Sequence, residues 1–96
     1  MLEKQTDKGV LKYRMPDILE VYDLLEISSL ADKGNLLKTK KKIIKEMGPM
    51  LDLSGLDGVN SYEDMLKDFD TFALATSEIA DEILVKIVSV FRKKIS

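Results

Sequence analysis

The chain has 96 residues, a formal net charge of −2, and neither cysteine nor histidine. These absences exclude disulfides, thiol catalysis, the usual zinc sites, Ser-His-Asp triads and imidazole bases. An apolar fraction of 45% beside 33% charged residues fits one small soluble domain, whereas disorder would need far fewer Leu, Ile and Val.

No apolar run approaches the roughly 20 residues of a spanning helix, and no apolar leader opens the chain. The expectation is a cytoplasmic protein without membrane contact. A slightly acidic molecule attracts polyanions only through a local patch.

Residues 1–15 read as a β-hairpin. In "VLKYRM", Leu11, Tyr13 and Met15 alternate with Lys12 and Arg14, the pattern of a half-buried strand. "LEKQT" precedes it, joined by a three-residue loop Asp7-Lys8-Gly9 with glycine in the left-handed position. A lone hairpin is marginal in water, so its apolar face must lie on helices.

Residues 16–30 read as a helix led by Pro16, with Asp17 and Glu20 at its positive end. Ile18, Val21, Tyr22 and Leu25 form its apolar face, widened by Leu19 and Leu24. "ADKGN" is a turn cluster that ends it, and Asn35 can cap the next helix, 35–47. That helix has Leu36, Leu37, Ile43, Ile44 and Met47 on one side. Gly48-Pro49 stops it, with a left-handed glycine followed by a proline.

"MLDLSGLDGVN" reads as a connecting loop anchored by Leu51, Leu53 and Leu56, with a turn at Asp57-Gly58. Ser61 opens a short helix over 61–69 whose apolar stripe is Tyr62, Met65, Leu66 and Phe69. The last helix, 71–94, is apolar over most of its surface and therefore central. Its polar stripe holds Glu78, Asp81, Glu82, Ser89, Arg92 and Lys93. Val85 sits on or beside that stripe, either as an isolated exposed residue or as a self-association face.

The run "KTKKKIIKEM" reads first as the solvated face of a helix, and otherwise as a contact for an acidic protein partner or for phosphates. At about 100° per residue, Lys38, Lys41, Lys42 and Lys45 fall in one stripe opposite the aliphatic side. Lys40 breaks the sorting, lying between Ile43 and Ile44, so it must reach the rim or pair with an acid. The expected partner is an acid from the stretch containing Asp52, Asp57, Glu63, Asp64, Asp68 and Asp70. The run contains no arginine fork and no interleaved aromatic, which weighs against nucleic acid. The residues at stake as a partner-binding surface are Lys38, Lys41, Lys42, Lys45 and Val85.

Other chemistry finds little support. The window "DLSGLDGVNSYE" has the length of a calcium loop but puts Leu56 and Asp57 where an oxygen ligand and a glycine belong. Asp81-Glu82 and Glu63-Asp64 are adjacent acids that diverge on a helix, and helix N-terminal stabilisation is their expected role. The glycines have no phosphate-loop spacing. No catalytic residue, metal ligand or cofactor is expected.

The stretches "DKGVLKYRMPDILEVYDLL", "IIKEMGPMLDLSGLDGVNSYEDML" and "SEIADEILVKIVSVFRKK" give the chain a layout. A basic strand leads to a Pro-led helix, a Lys-rich helix ended by Gly-Pro, an acidic turn and a long terminal helix. This layout resembles small tail assembly chaperones of long-tailed bacteriophages. The resemblance implies a mainly helical, non-enzymatic protein of the host cytoplasm. Such a protein escorts the tape measure protein, recruits tail tube protein and forms a homo-oligomer. It also implies a longer form made by ribosomal frameshifting, for which the codons of Lys93-Lys94 are candidates. Two further readings are a small nucleic-acid-binding regulator using the Lys38–Lys45 face and a virion structural or connector subunit.

The expected fold is α-dominated α+β: an N-terminal hairpin packed on three longer helices and one short one. The expected core is Leu11, Tyr13, Ile18, Val21, Tyr22, Leu25, Ile43, Ile44, Met47, Leu66, Ile79, Ile83, Leu84, Ile87 and Phe91.

Overall fold

A computed structural model describes the backbone of residues 1–28 and 36–95 and the side chains of 1–24 and 37–90. In chain order it contains β1 (Leu2–Thr6), β2 (Gly9–Tyr13), α1 (Ile18–Ser28), α2 (Leu36–Glu46), β3 (Leu51–Asp52), α3 (Tyr62–Lys67) and α4 (Phe69–Ile95). The expected α+β class is observed. Leu25, Asn35, Leu36, Phe91, Arg92, Lys93 and the turn cluster "ADKGN" lie outside the described side chains.

The sheet has three antiparallel strands in the order β1-β2-β3, one more than the expected hairpin. β3 pairs Leu51 with Tyr13 and Asp52 with Lys12. A two-residue strand is too short to leave a period in the sequence. Thr6 pairs with Gly9, so the hairpin turn is the two residues Asp7-Lys8, one fewer than expected. The Thr6 hydroxyl donates to the Gly9 carbonyl at 2.7 Å and accepts from the Lys8 amide at 3.2 Å. Gly9 takes φ 125°, a conformation open to glycine. Its missing side chain also lets the Gly55 backbone pack directly against it. The Asp57 amide donates to the Lys8 carbonyl at 2.8 Å, which ties the 53–57 loop to the hairpin tip.

Pro16 lies outside α1, and Asp17 is its cap. The Glu20 amide donates to Asp17 Oδ1 at 2.8 Å, and the Asp17 amide donates to Glu20 Oε1 at 3.0 Å, a reciprocal capping pair. Arg14 adds two bonds to the Glu20 carboxylate, at 2.6 and 3.0 Å. Only Val21 and Leu24 of the described α1 side chains are buried. Ile18 and Tyr22, expected in the core, are 55% and 37% exposed. A helix on the flank of the bundle buries a narrow line, and Ile18 stands at its first turn.

α2 is followed by a single 3-10 turn at Gly48–Met50. Gly48 is not left-handed, contrary to expectation; among the described glycines the positive φ angles belong to Gly9 and Gly58. Gly48 is favoured for a different reason, because a Cβ there would lie 3.0 Å from the Tyr62 ring, which would have to give way slightly. The Tyr62 hydroxyl donates to the Ile44 carbonyl, one of the last-turn acceptors of α2. Burial pushes the Tyr62 phenol up to about 12.

Ser61 caps α3, accepting from the Asp64 amide at 3.1 Å. Phe69 opens α4 instead of closing α3. Asp68 divides the two helices: its carbonyl accepts from Phe72 at 3.1 Å and its carboxylate takes Lys8 Nζ at 2.6 Å. That lysine first, then Thr71, holds the Asp68 carboxyl below its ordinary range.

α4 is the axis of the molecule. Phe72, Ala75, Thr76, Ile79, Ala80, Ile83 and Ile87 are buried along it, with the sheet contributing Leu11 and Tyr13. α2 contributes Ile43, followed by Met47 just past its end; α3 contributes Met65. Ile44 and Leu84 are half-buried against this core, and Leu66 is 40% exposed.

Candidate protein-docking groove

The expected interaction surface is α2. Lys38, Lys41 and Lys45 are exposed and Lys42 is half-buried. The inward line of the helix is Thr39 and Ile43, continued by Met47 just past its end. Leu37, assigned to the apolar side by sequence, is 65% exposed. It lies about 20° around the helix from Ile44, on the flank that also carries Lys41.

Lys40 turns away from the lysine stripe. Its Nζ lies 2.7 Å from Ser77 Oγ and 3.0 Å from Asp81 Oδ1. The acid it finds is on α4, outside the stretch expected from the sequence. α2 packs along α4, which brings residues 77–81 within reach. Glu82 points the other way, accepting from the Tyr13 hydroxyl at 2.7 Å and pairing with Lys4 at 3.4 Å. Lys4 also reaches Glu78 at 3.1 Å. Asp81 and Glu82 thus diverge, as adjacent helical residues must, but they sit mid-helix and not at an N-terminus. One docks α2 and the other docks the sheet. Burial and then Glu82 raise the Tyr13 phenol above its ordinary value.

Beside the Lys40 bridge lies a groove of about 610 Å³. Ile44 forms its α2 wall, Met65 and Leu66 its α3 end, and Phe69, Phe72 and Leu74 its α4 side. Phe69 and Leu74 are 72% and 73% exposed. A phenylalanine and a leucine are thus held well into solvent on one apolar groove. Val85, 69% exposed, continues the Leu74 line three turns along α4.

The structure therefore separates the expected surface residues. Of α2 only Ile44 lines the groove; Lys38, Lys41 and Lys45 stand exposed elsewhere on that helix, and Val85 stands on α4. The sequence reading missed Phe69 and Leu74. In the sequence Phe69 continues the α3 stripe, because the break at Asp68 has no glycine or proline to mark it. Leu74 is one aliphatic among many on α4.

Among the described residues no helix is long and apolar enough to cross a membrane. The described residues contain no group of three or more carboxylates placed to hold a metal ion. No protein-family model, curated protein or solved structure matches the chain.

Proposed function

We propose that this chain is a non-enzymatic tail assembly chaperone of the kind made by long-tailed bacteriophages, working in the host cytoplasm. Its groove receives an apolar segment of the tape measure protein, and its outer surface recruits tail tube protein. The observation that carries this reading is the exposure of Phe69 and Leu74 on one apolar groove built by three helices. Grooves of this kind take the apolar face of a partner helix. The layout of the sequence supports the same family of functions.

The test is co-expression with the tape measure protein followed by purification of the complex. Wild-type protein holds the partner. Phe69→Asp and Leu74→Asp release it while circular dichroism stays unchanged, because both side chains are already solvent-exposed. Equal capture by wild type and both variants would overturn the reading.

The exposed Lys38, Lys41 and Lys45 favour one second reading, a nucleic-acid-binding regulator. It requires binding to DNA or RNA that falls steeply as salt rises and is lost on reversal of those lysines.

A further inference from the structure

β1 is an edge strand. Among the described residues its one strand neighbour is β2. In an antiparallel pair the residues alternate: one spends its N–H and C=O on the partner, and the next turns both to the far side. The Arg14 amide donates to the Met50 carbonyl on the β3 side. Lys12 and Val10 therefore point the same way, and Leu11 and Tyr13 point to β1. Their partners there are Lys4 and Leu2, and Thr6 pairs with Gly9 in the same phase. Glu3 and Gln5 are left with their N–H and C=O groups on the free edge.

A cleft of about 280 Å³ follows that edge, between the consecutive residues Lys4 to Asp7 and the first half of α4. Lys4 shares the inner face of the sheet with its partner Leu11, so alternation sends the Gln5 side chain to the outer face. Gln5 therefore lines the cleft with its backbone. β1 and α4 run antiparallel here, since Lys4 meets Glu78 at 3.1 Å and Lys8 meets Asp68 at 2.6 Å. Asp7 and Asp70 stand exposed at the turn end of the cleft, and Leu74 and Ala75 give it an apolar middle. Lys4 is engaged by Glu78 and Glu82, so the turn end is acidic. Asp70 and Leu74 are separated by about 6 Å along α4. Alternate residues of a strand are separated by about 7 Å, so one strand can address both. A second copy is a poor occupant. Antiparallel pairing of β1 with itself through Glu3 and Gln5 sets Glu3 on Glu3, Lys4 on Lys4, or Glu3 on Asp7, according to register. Like charges directly opposite destabilise a strand pair.

We propose that the free edge of β1 takes an extended, basic segment of a partner protein as a fourth strand of the sheet. An aliphatic residue of that segment lies over Leu74, and a lysine or arginine at the next inward position faces Asp70. Backbone bonds to Glu3 and Gln5 hold the strand, and its inward side chains select it. This surface is separate from the groove, with Leu74 on the ridge between the two. It stands or falls without the chaperone reading.

The probe is an acetylated and amidated peptide in which threonines alternate with a valine and a lysine. NMR of the isotope-labelled full chain reads each amide separately. In the free protein the Lys4 and Thr6 amides exchange slowly and those of Glu3 and Gln5 exchange fast. Millimolar peptide shifts the Glu3 and Gln5 amides and slows their exchange. Gln5→Pro removes an outward N–H at a place where an edge strand tolerates proline, so circular dichroism is kept and binding is lost. Asp70→Asn weakens binding about threefold, and exchanging the peptide's lysine for glutamate weakens it about tenfold in wild type. Shifts confined to the groove, exchange at Glu3 and Gln5 unchanged by peptide, or a glutamate peptide that binds as well as the lysine peptide would each overturn the proposal. Protection of Glu3 and Gln5 that rises with protein concentration alone would assign the edge to a second copy and overturn the basic partner.

Discussion

Lys40 Nζ lies 3.0 Å from Asp81 Oδ1 and 2.7 Å from Ser77 Oγ, so the one lysine that breaks the α2 stripe pins that helix to α4. Ser77, one partner of the bridge, also lines the groove. Its value is positional more than energetic, since the Asp81 side chain is 60% exposed and water screens the pair. Lys40→Met keeps the stem packed and leaves an acid that water can reach, so unfolding stability in urea stays within about 1 kcal/mol of wild type. Lys40→Glu sets two acids together and costs clearly more than Lys40→Met.

Tyr62 joins two helices through one hydroxyl. Tyr62→Phe leaves the Ile44 carbonyl without that donor, at a cost of about 1–3 kcal/mol measured by denaturant unfolding. Tyr62 also sets an alkaline limit. Its folded value of about 12 lies above the unfolded value of about 10. The folded state therefore keeps the phenol proton where the unfolded state has lost it. Stability is complete below pH of about 10 and falls until about 12. Spectrophotometric titration of the phenolates should place Tyr62 last, or nearly so beside Tyr13, and Tyr62→Phe should flatten the alkaline fall.

The start of α1 predicts an acid limit. Arg14 first, and then the Asp17 amide, hold the Glu20 carboxyl below its ordinary range. A lowered folded value gives stability that is present above the unfolded value, about 4.3, and lost as pH falls through the folded one. Glu20→Gln should remove part of the acid dependence in urea melts below pH of about 4.5. Asp17→Ala should cost about 1 kcal/mol through loss of the cap.

Two glycines are predicted to be intolerant for different reasons. Gly9→Ala forces a side chain into a positive φ and onto the Gly55 carbonyl, so a thermal melt should show a loss of about 2 kcal/mol or more. Gly48→Ala has an ordinary backbone but meets the Tyr62 ring at 3.0 Å, and about 1 kcal/mol is expected. The loss at Gly48 should shrink in a Tyr62→Ala background, because the clashing ring is gone.

Local chemistry made much of this fold legible. The alternation of Leu11 and Tyr13, the Ser61 cap and the apolar breadth of α4 each follow from periods and caps within a few residues. Long-range geometry decided the rest. Lys40 was readable as misplaced, but its acid depended on which helix α2 lies against. Gly48 was readable as required, but its reason is a ring fourteen residues away. The groove depended on where α3 ends and α4 begins, a boundary set by Asp68 and its lysine from the hairpin turn. With that boundary moved one residue, Phe69 changes from a packed stripe residue to the rim of a docking surface.

The proposed function requires that the groove between α2, α3 and α4 receive a segment of its partner. Amide hydrogen exchange, with and without the tape measure protein, tests it most directly. Slowed exchange is expected over α3 and the first half of α4, from Tyr62 to Ser77, with β1 and β2 unchanged. Protection confined to the sheet, or no protection in a complex that still forms, would contradict it.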